Sequence, residues 1–214
     1  MKSSFTLAGL LSGYIVLAVP APKPVAEPIP IASPTGIPSA SEASSQLAAL
    51  TVSTNEDDGS YDRDLFPTWI TISDSCNTRE YVLQRDGTDV EVDDDCYPSS
   101  GTWTSPYDGE EWSEASDVDI DHMVPLKNAW ISGASEWTTD KREELANDID
   151  RPQLWAVTDS LNQEKSDSSP DEWKPPLESF HCTYAAAWIA VKSYWELAVT
   201  EAEKAALEEM LETC

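Results

Sequence analysis

Basic residues are scarce in this chain, and the scarcity limits what its surface can bind. The 214 residues include 13 lysines and arginines against 40 aspartates and glutamates, which gives a formal net charge of −27. Proteins that hold nucleic acid by charge alone present a basic surface, because neutralising phosphates drives such binding. The composition therefore excludes a broad basic patch, and an acidic surface instead favours solubility.

Long apolar runs are also lacking, with one exception at the start of the chain. After Lys2, residues 5–19 are apolar but broken by small and polar residues, and small residues suited to cleavage stand at Ala18 and Ala21. This pattern predicts a secretory signal peptide over residues 1–20. The alternative, a retained membrane anchor, is disfavoured because the run is short and interrupted. We therefore expect a secreted, extracellular protein with no membrane contact once the signal is removed.

Residues 21–58 contain no aromatic side chain and show little apolar periodicity. They are rich in proline, alanine and serine, and proline removes backbone donors and favours extended backbone. A segment of this composition has little apolar surface to bury. We interpret it as a linker or a removable pro-segment, and we place the folded domain at residues 59–214, which suffice for one hydrophobic core.

All four cysteines fall within that domain, and no two of them form a C-x-x-C pair. The missing short spacing disfavours a zinc site, whereas an even number of cysteines behind a signal peptide predicts disulfides. Three pairings are open. We favour Cys76–Cys96 with Cys182–Cys214, because these bridges clip each end of the domain and leave its middle free.

The domain mixes predicted strands with predicted helices, which indicates an α+β fold. Apolar alternation or short apolar runs predict strands at 88–92, 101–104, 117–122 and 154–157. Helical spacing predicts helices at 79–85, at 126–131, from 138 or 139 to 148, after 158, at 183–198 and at 201–212. Thr200 with Glu203 three residues later has the pattern of a capping box. Trp188 and Trp195 are seven residues apart on one helical face, so we expect both in the core.

An aspartate stands directly before one of the chain's two histidines, at the end of the strand at 117–122. Successive side chains of a strand face opposite sides, so Asp121 and His122 can serve one site only where the strand ends and the backbone bends. Pro125 follows and stops the strand. A carboxylate beside a neutral imidazole suits a metal ligand next to a base that takes a proton from water.

Two separated blocks carry a resemblance to a known family. They are Asp119-Ile-Asp-His-Met-Val-Pro-Leu126 and Asn162-Gln-Glu-Lys-Ser-Asp167, and further segments at 76–80, 101–103, 170–176 and 190–195 fit the same pattern. In order, spacing and flanks the chain resembles secreted HNH-type nucleases related to the C-terminal domain of the GmrSD restriction endonucleases. The HNH domain of CRISPR effector nucleases is similar over the same two blocks. The resemblance covers roughly residues 61–214.

The resemblance implies a disulfide-stabilised ββα-metal (HNH-like) core with additional helices. It also implies a metal-dependent endonuclease that hydrolyses phosphodiester bonds of DNA, RNA or both. His122 would be the general base, and Asp121 and Asn162 would bind a divalent metal, Mg²⁺ with Mn²⁺ as the alternative. We expect nucleic acid as the partner, low sequence specificity because no module for reading bases is visible, and a monomer. Because a neutral imidazole is needed, we expect activity to fall below about pH 6, unless neighbouring groups move its pKa.

Four more residues are candidates for supporting roles. Asp119 points to the same strand side as Asp121 and would support the metal site, or belong to a polar strand face. Lys165 lies one helical turn after the second-block asparagine and would meet a phosphate, or be a solvated helix lysine. Arg79 and Glu80 would form an ion pair that positions the site, or Arg79 would bind phosphate.

A rival hypothesis is a catalytically inactive secreted protein that binds a surface or a carbohydrate and keeps the HNH scaffold. In that protein the tryptophans, of which the chain has nine, would form an exposed platform. The presence of Asp121, His122 and Asn162 together favours the enzyme.

Overall fold

Helices and strands alternate along the described part of the chain, which confirms the α+β class. The computed structural model describes Met1 and residues 34–54, 56–73 and 75–214. Apart from Met1, these residues belong to one unit, Ile31–Cys214. The predicted signal peptide beyond Met1, and residues 21–33 of the predicted linker, lie outside the described residues. Within the described ranges, no helix is long and apolar enough to cross a membrane.

Seven helices and seven strands follow one another along the described residues, with short 3₁₀ turns at Arg63–Leu65, Ala134–Glu136 and Glu178–Phe180. They are α1 (Ala40–Ala49), β1 (Thr71–Ser73), β2 (Cys76–Asn77), α2 (Thr78–Asp86), β3 (Gly87–Val92), β4 (Pro98–Thr104), β5 (Glu111–Trp112), β6 (Val118–His122), α3 (Leu126–Ile131), α4 (Thr139–Ala146), β7 (Leu154–Thr158), α5 (Asp159–Lys165), α6 (His181–Tyr194) and α7 (Glu201–Leu211).

The strands form three small antiparallel sheets, and the last of them carries the two sequence blocks. β1 pairs with β2, and β3, β4 and β5 follow one another in a second sheet. β6 pairs with β7 from Val118 opposite Thr158 to His122 opposite Leu154. α5 follows β7 without a loop and packs against both strands. Two antiparallel strands and a helix therefore form a local unit around the Asp-His pair.

The end of α6 differs from the predicted helix at 183–198. The helix ends at Tyr194 because Glu196 adopts a left-handed backbone conformation with φ 55°. The Leu197 amide then donates to the Lys192 carbonyl at 2.9 Å. A left-handed residue followed by such a bond is the Schellman type of helix end. The expected capping box at the start of α7 is confirmed, since the Thr200 and Glu203 side chains cap each other's backbone amides.

Part of the predicted linker or pro-segment is folded, since residues 40–49 form a helix. α1 begins with a capping box formed by Ser39 and Glu42. It buries Ala43 and Leu47, which lie four residues apart on one face, and it packs against α6 and α7. Composition concealed this helix because alanine and serine are common in linkers as well as in helices with a narrow apolar face.

Two disulfides link distant parts of the domain. Cys76–Cys96 joins β2 to the loop between β3 and β4, and Cys182–Cys214 joins the first turn of α6 to the last residue. This is the pairing favoured from the sequence. The bridges close separations of 20 and 32 residues, for which the loss of entropy in the unfolded chain corresponds to about 3–4 kcal/mol each.

β6 lies between two buried clusters. The larger one surrounds α6 and includes Trp188 and Trp195, which confirms that both belong to the core. The smaller one includes Val118 and Ile120. Because strand side chains alternate, the aspartates between and after these two residues point the other way, toward α5. The pleat of one buried strand therefore places carboxylates at the edge of the core.

Candidate functional site

Asp121 is buried at the end of β6 with both carboxylate oxygens engaged. Its Oδ1 accepts a hydrogen bond from Lys165 Nζ at 2.9 Å, and its Oδ2 accepts one from the Tyr107 hydroxyl at 2.5 Å. Burial raises the pKa of Asp121, and the Lys165 charge and the hydrogen bond from Tyr107 oppose that rise. The carboxylate is thus held in one orientation, and each oxygen keeps a second lone pair for another ligand.

Lys165 is fully buried, so the expectation of a solvated helix lysine is wrong. Its Nζ donates to Asp121 Oδ1 and, at 3.0 Å, to the His122 carbonyl. These contacts hold the ammonium between α5 and β6 rather than on the surface where a phosphate contact was expected. Burial lowers the pKa of Lys165, and the Asp121 charge opposes that fall. The lysine supports the candidate metal ligand.

His122 is held in one tautomer by a backbone contact. Its Nε2 donates to the Ala146 carbonyl at 2.9 Å, so the lone pair of the neutral ring lies on Nδ1. The Trp69 ring lies against it, with centroids 5.6 Å apart. Burial lowers the pKa of His122 to about 3, assisted by the charges of Arg63 and Lys165. The fall in activity expected below about pH 6 assumed an unshifted pKa, and this burial moves the expected loss of the neutral imidazole to lower pH.

Asp119 on β6 and Asn162 on α5 lie in hydrogen-bonding contact with each other. Asn162 Nδ2 donates to Asp119 Oδ2 at 3.1 Å. This bond turns the amide so that its Oδ1 is left to accept or to bind a cation. Burial raises the pKa of Asp119, while the bond from Asn162 lowers it and the neighbouring Asp159 carboxyl raises it. Asp119 therefore orients Asn162 in the way expected of a supporting carboxylate.

A cleft of about 270 Å³ joins the residues of the two blocks. Asp121, His122 and Asn162 all line it, although 40 residues separate the histidine from the asparagine in the sequence. The described residues that line it are Arg63, Ile120, Asp121, His122, Pro125, Leu126, Asn162, Ser166 and Asp167. The fold therefore gathers the expected base and both expected metal ligands around one opening.

Sequence reasoning missed two residues of this site. Tyr107 is fully buried in the connection between β4 and β5 and holds Asp121. Arg63 lines the cleft from a 3₁₀ turn that precedes β1. Neither lies in a recognisable pattern, and the only signal for Arg63 is a lone base between two acids in a chain with few bases.

Arg79 and Glu80 are not among the residues that line the cleft, and their proposed roles at the site stay predictions. Arg79 Nη2 donates to the carbonyls of Ala115 and Val118, each at 3.3 Å. Glu80 instead forms a capping box with Asn77 at the start of α2. Arg79 fixes the chain that enters β6, and Glu80 fixes the helix beside it, so both act on the fold.

The donor set fits a hard divalent cation rather than a closed metal site. Among the described residues, no three His, Cys, Asp or Glu side chains are grouped so as to hold a metal. Asp121 and Asn162 offer one carboxylate and one amide oxygen at the same cleft. Mg²⁺ is commonly bound by one or two protein oxygens, with water and substrate phosphate completing its coordination. The residues present are consistent with that arrangement.

Comparisons with known proteins identify the family to which the chain belongs. Residues 77–210 match the family model described as GmrSD restriction endonucleases, C-terminal domain. The chain is also 56% identical over 210 residues to an uncharacterized secreted protein of Arthroderma benhamiae. The aligned region covers 98% of this chain and 99% of the relative. No solved structure matches it. Because the family match takes in more than half of the chain, including β6, β7 and α5, the chain belongs to the family of GmrSD restriction endonuclease C-terminal domains.

Proposed function

We propose that this protein is a secreted, metal-dependent endonuclease with a ββα-metal core that hydrolyses phosphodiester bonds. One observation carries the proposal: β6, β7 and α5 gather Asp121, His122 and Asn162 around one cleft in a chain of this family. Extracellular action is supported by the two disulfides, by the apolar N-terminal run and by the name of the fungal relative.

His122 is the proposed general base. The Ala146 carbonyl fixes the proton on Nε2, which leaves Nδ1 to take a proton from the attacking water. The Trp69 ring beside it restricts rotation of the imidazole. Since burial lowers the pKa of His122 to about 3, the base form is present at neutral and at moderately acid pH.

Asp121 and Asn162 are the proposed ligands of Mg²⁺, with Mn²⁺ as the alternative. A bound cation would neutralise the charge that develops on the phosphate and on the leaving oxygen. Lys165 and Tyr107 hold the Asp121 carboxylate in place, and Asp119 turns the Asn162 amide. Such supporting contacts fix the ligands before the cation binds.

The proposed substrate is DNA, RNA or both, cut with little sequence preference by a monomer. The formal charge of −27 predicts slow encounter with a polyanion, so local contacts at the cleft must supply the affinity. The rival hypothesis of an exposed tryptophan platform lacks support, because all nine tryptophans lie in the described residues and none of them is exposed.

The test uses the chain's two histidines as a matched pair. We expect refolded protein to degrade plasmid DNA or RNA with Mg²⁺ and to lose activity in EDTA. His122→Gln keeps an N–H donor for Ala146 and removes the base, and should lower the rate by about 10²–10⁴-fold. His181→Gln, whose imidazole bonds the Pro175 carbonyl outside the cleft, should cut at the wild-type rate. Cleavage that survives both EDTA and His122→Gln would contradict the proposal.

A further inference from the structure

One cation lines the cleft among the described residues, and it is Arg63. It belongs to the 3₁₀ turn Arg63–Leu65, which precedes the family match at residues 77–210. Its side chain is exposed, whereas Lys165, the other base close to the site, is enclosed by protein. A segment outside the matched domain therefore supplies the positive charge at the opening.

The backbone that carries Arg63 is fixed on the domain. The Phe66 side chain is buried and packs edge-on against Trp130, with centroids 6.2 Å apart. The Arg142 Nε donates to the Leu65 carbonyl at 2.9 Å. These contacts fix the end of the 3₁₀ turn, so the backbone from which the Arg63 side chain extends to the cleft is held in place.

Arg63 also differs from most other bases in how it is partnered. Among the described residues, no carboxylate lies within 4.0 Å of its guanidinium, although Asp62 and Asp64 are its sequence neighbours. Six other bases form such ion pairs, namely Arg85–Asp86, Lys127–Asp57, Arg151–Asp148, Lys165–Asp121, Lys174–Glu209 and Lys192–Glu203. In a chain with this excess of acid, a base that faces the cleft without a carboxylate partner is available to an anion.

We propose that Arg63 binds a phosphate oxygen of a phosphodiester backbone at the mouth of the cleft. The inference rests on the proposed function, since it takes the same site and names a contact for its substrate. The planar guanidinium can donate two parallel hydrogen bonds to one phosphate, which an ammonium cannot do. The contact is to the backbone, so it contributes affinity without reading sequence.

Binding measured without turnover tests this assignment. Fluorescence anisotropy of a labelled single-stranded DNA oligonucleotide in EDTA reports affinity over a series of salt concentrations. Arg63→Ala should weaken binding about 10-fold to 100-fold and flatten the slope of log K against log salt by about 0.7–1. Arg63→Lys should keep that slope and lose part of the affinity. The positive charge remains, but the ammonium cannot donate two parallel hydrogen bonds to one phosphate. Lys204→Ala removes one charge from α7, away from the cleft, and should leave both values unchanged.

The outcomes separate this proposal from the proposed function. If Arg63→Ala binds the oligonucleotide as Lys204→Ala does, the assignment of Arg63 is overturned, whether or not the wild type cleaves with Mg²⁺. If binding depends on Arg63 and the wild type never cleaves, the nuclease function is overturned and the phosphate contact stands. A wild type that neither binds nor cleaves overturns both. Tryptophan fluorescence of each variant checks that the fold is kept.

Discussion

The domain contains two buried lysine–carboxylate pairs with the same chemistry and different surroundings. Lys165 and Asp121 are 2.9 Å apart between α5 and β6, and Lys192 and Glu203 are 2.6 Å apart between α6 and α7. Both lysines are fully buried, and burial lowers the pKa of each. Removing two charges from water costs several kcal/mol per ion, so neither pair is retained simply because an ion pair is stabilising.

The surroundings separate their roles. Glu203 uses one oxygen for Lys192 and the Trp188 indole and the other to cap α7, while Lys192 also bonds the Ser132 hydroxyl. This second pair ties helices together inside the core. Asp121 instead lines an open cleft. A buried ion pair therefore does not by itself mark a functional site; access to a cavity shared with other reactive groups does.

The largest expected difference between the two pairs is in catalysis. Asp121→Asn keeps the size of the side chain and removes the anionic ligand, so cleavage with Mg²⁺ should fall on the order of 10³-fold. Glu203→Gln makes the same chemical change in the helix pair and should leave the rate per folded molecule unchanged. Initial rates corrected for the folded fraction measure both. Equal losses in the two variants would mean that the pairs do not differ in function.

In stability the two pairs should behave alike. Lys165→Met and Lys192→Met each leave a carboxylate buried without its cation, which typically costs about 3–5 kcal/mol. Urea unfolding followed by tryptophan fluorescence gives the free energy of unfolding for each variant. A loss under about 1 kcal/mol at either site would show that water or a rearranged neighbour satisfies the remaining carboxylate there.

Replacing both members of a pair sharpens the contrast. Lys165→Met with Asp121→Leu removes both charges, and should recover most of the about 3–5 kcal/mol lost in Lys165→Met alone, without any activity. Lys192→Met with Glu203→Leu should recover less, because the leucine also removes the cap of α7, worth about 1 kcal/mol, but its activity should persist. The free energies of unfolding and the cleavage rates of the two double variants test this directly. If the first double variant cleaves, Asp121 is not a required ligand.

The features predictable from sequence are local ones. The capping box of Thr200 and Glu203, the strand ending in Asp121-His122 and the helix carrying Asn162 are each set by neighbours within a few residues, and each is present. Periodicity and capping patterns report such short-range preferences. The clustering of the two blocks followed from resemblance rather than from any local pattern.

What could not be predicted depends on contacts between distant residues. Lys165 reads as a surface lysine in its helix, and only the packing of α5 on β6 buries it against Asp121, 44 positions away. Tyr107 and Arg63 reach the site from connections without a pattern. The pKa of His122 likewise follows from burial, which no property of the dipeptide reports.

The smallest expected effect is a pH dependence of the free energy of unfolding, which His122 introduces beside the Lys165–Asp121 pair. In the unfolded chain His122 takes up a proton near its ordinary pKa of about 6.5, whereas burial lowers its pKa in the native protein to about 3. Its contribution to stability is therefore complete above pH 6.5 and is lost as pH falls from 6.5 toward 3, because only the unfolded state binds the proton. Between pH 7 and pH 5 this amounts to about 2 kcal/mol.

Burial raises the pKa of Asp121, which makes a contribution to the pH dependence of stability with the opposite sign. The measurement is therefore the difference between the wild type and His122→Gln in urea unfolding at the two pH values. A wild type that parallels His122→Gln would mean that the imidazole is hydrated in the native cleft and is protonated near its ordinary pKa.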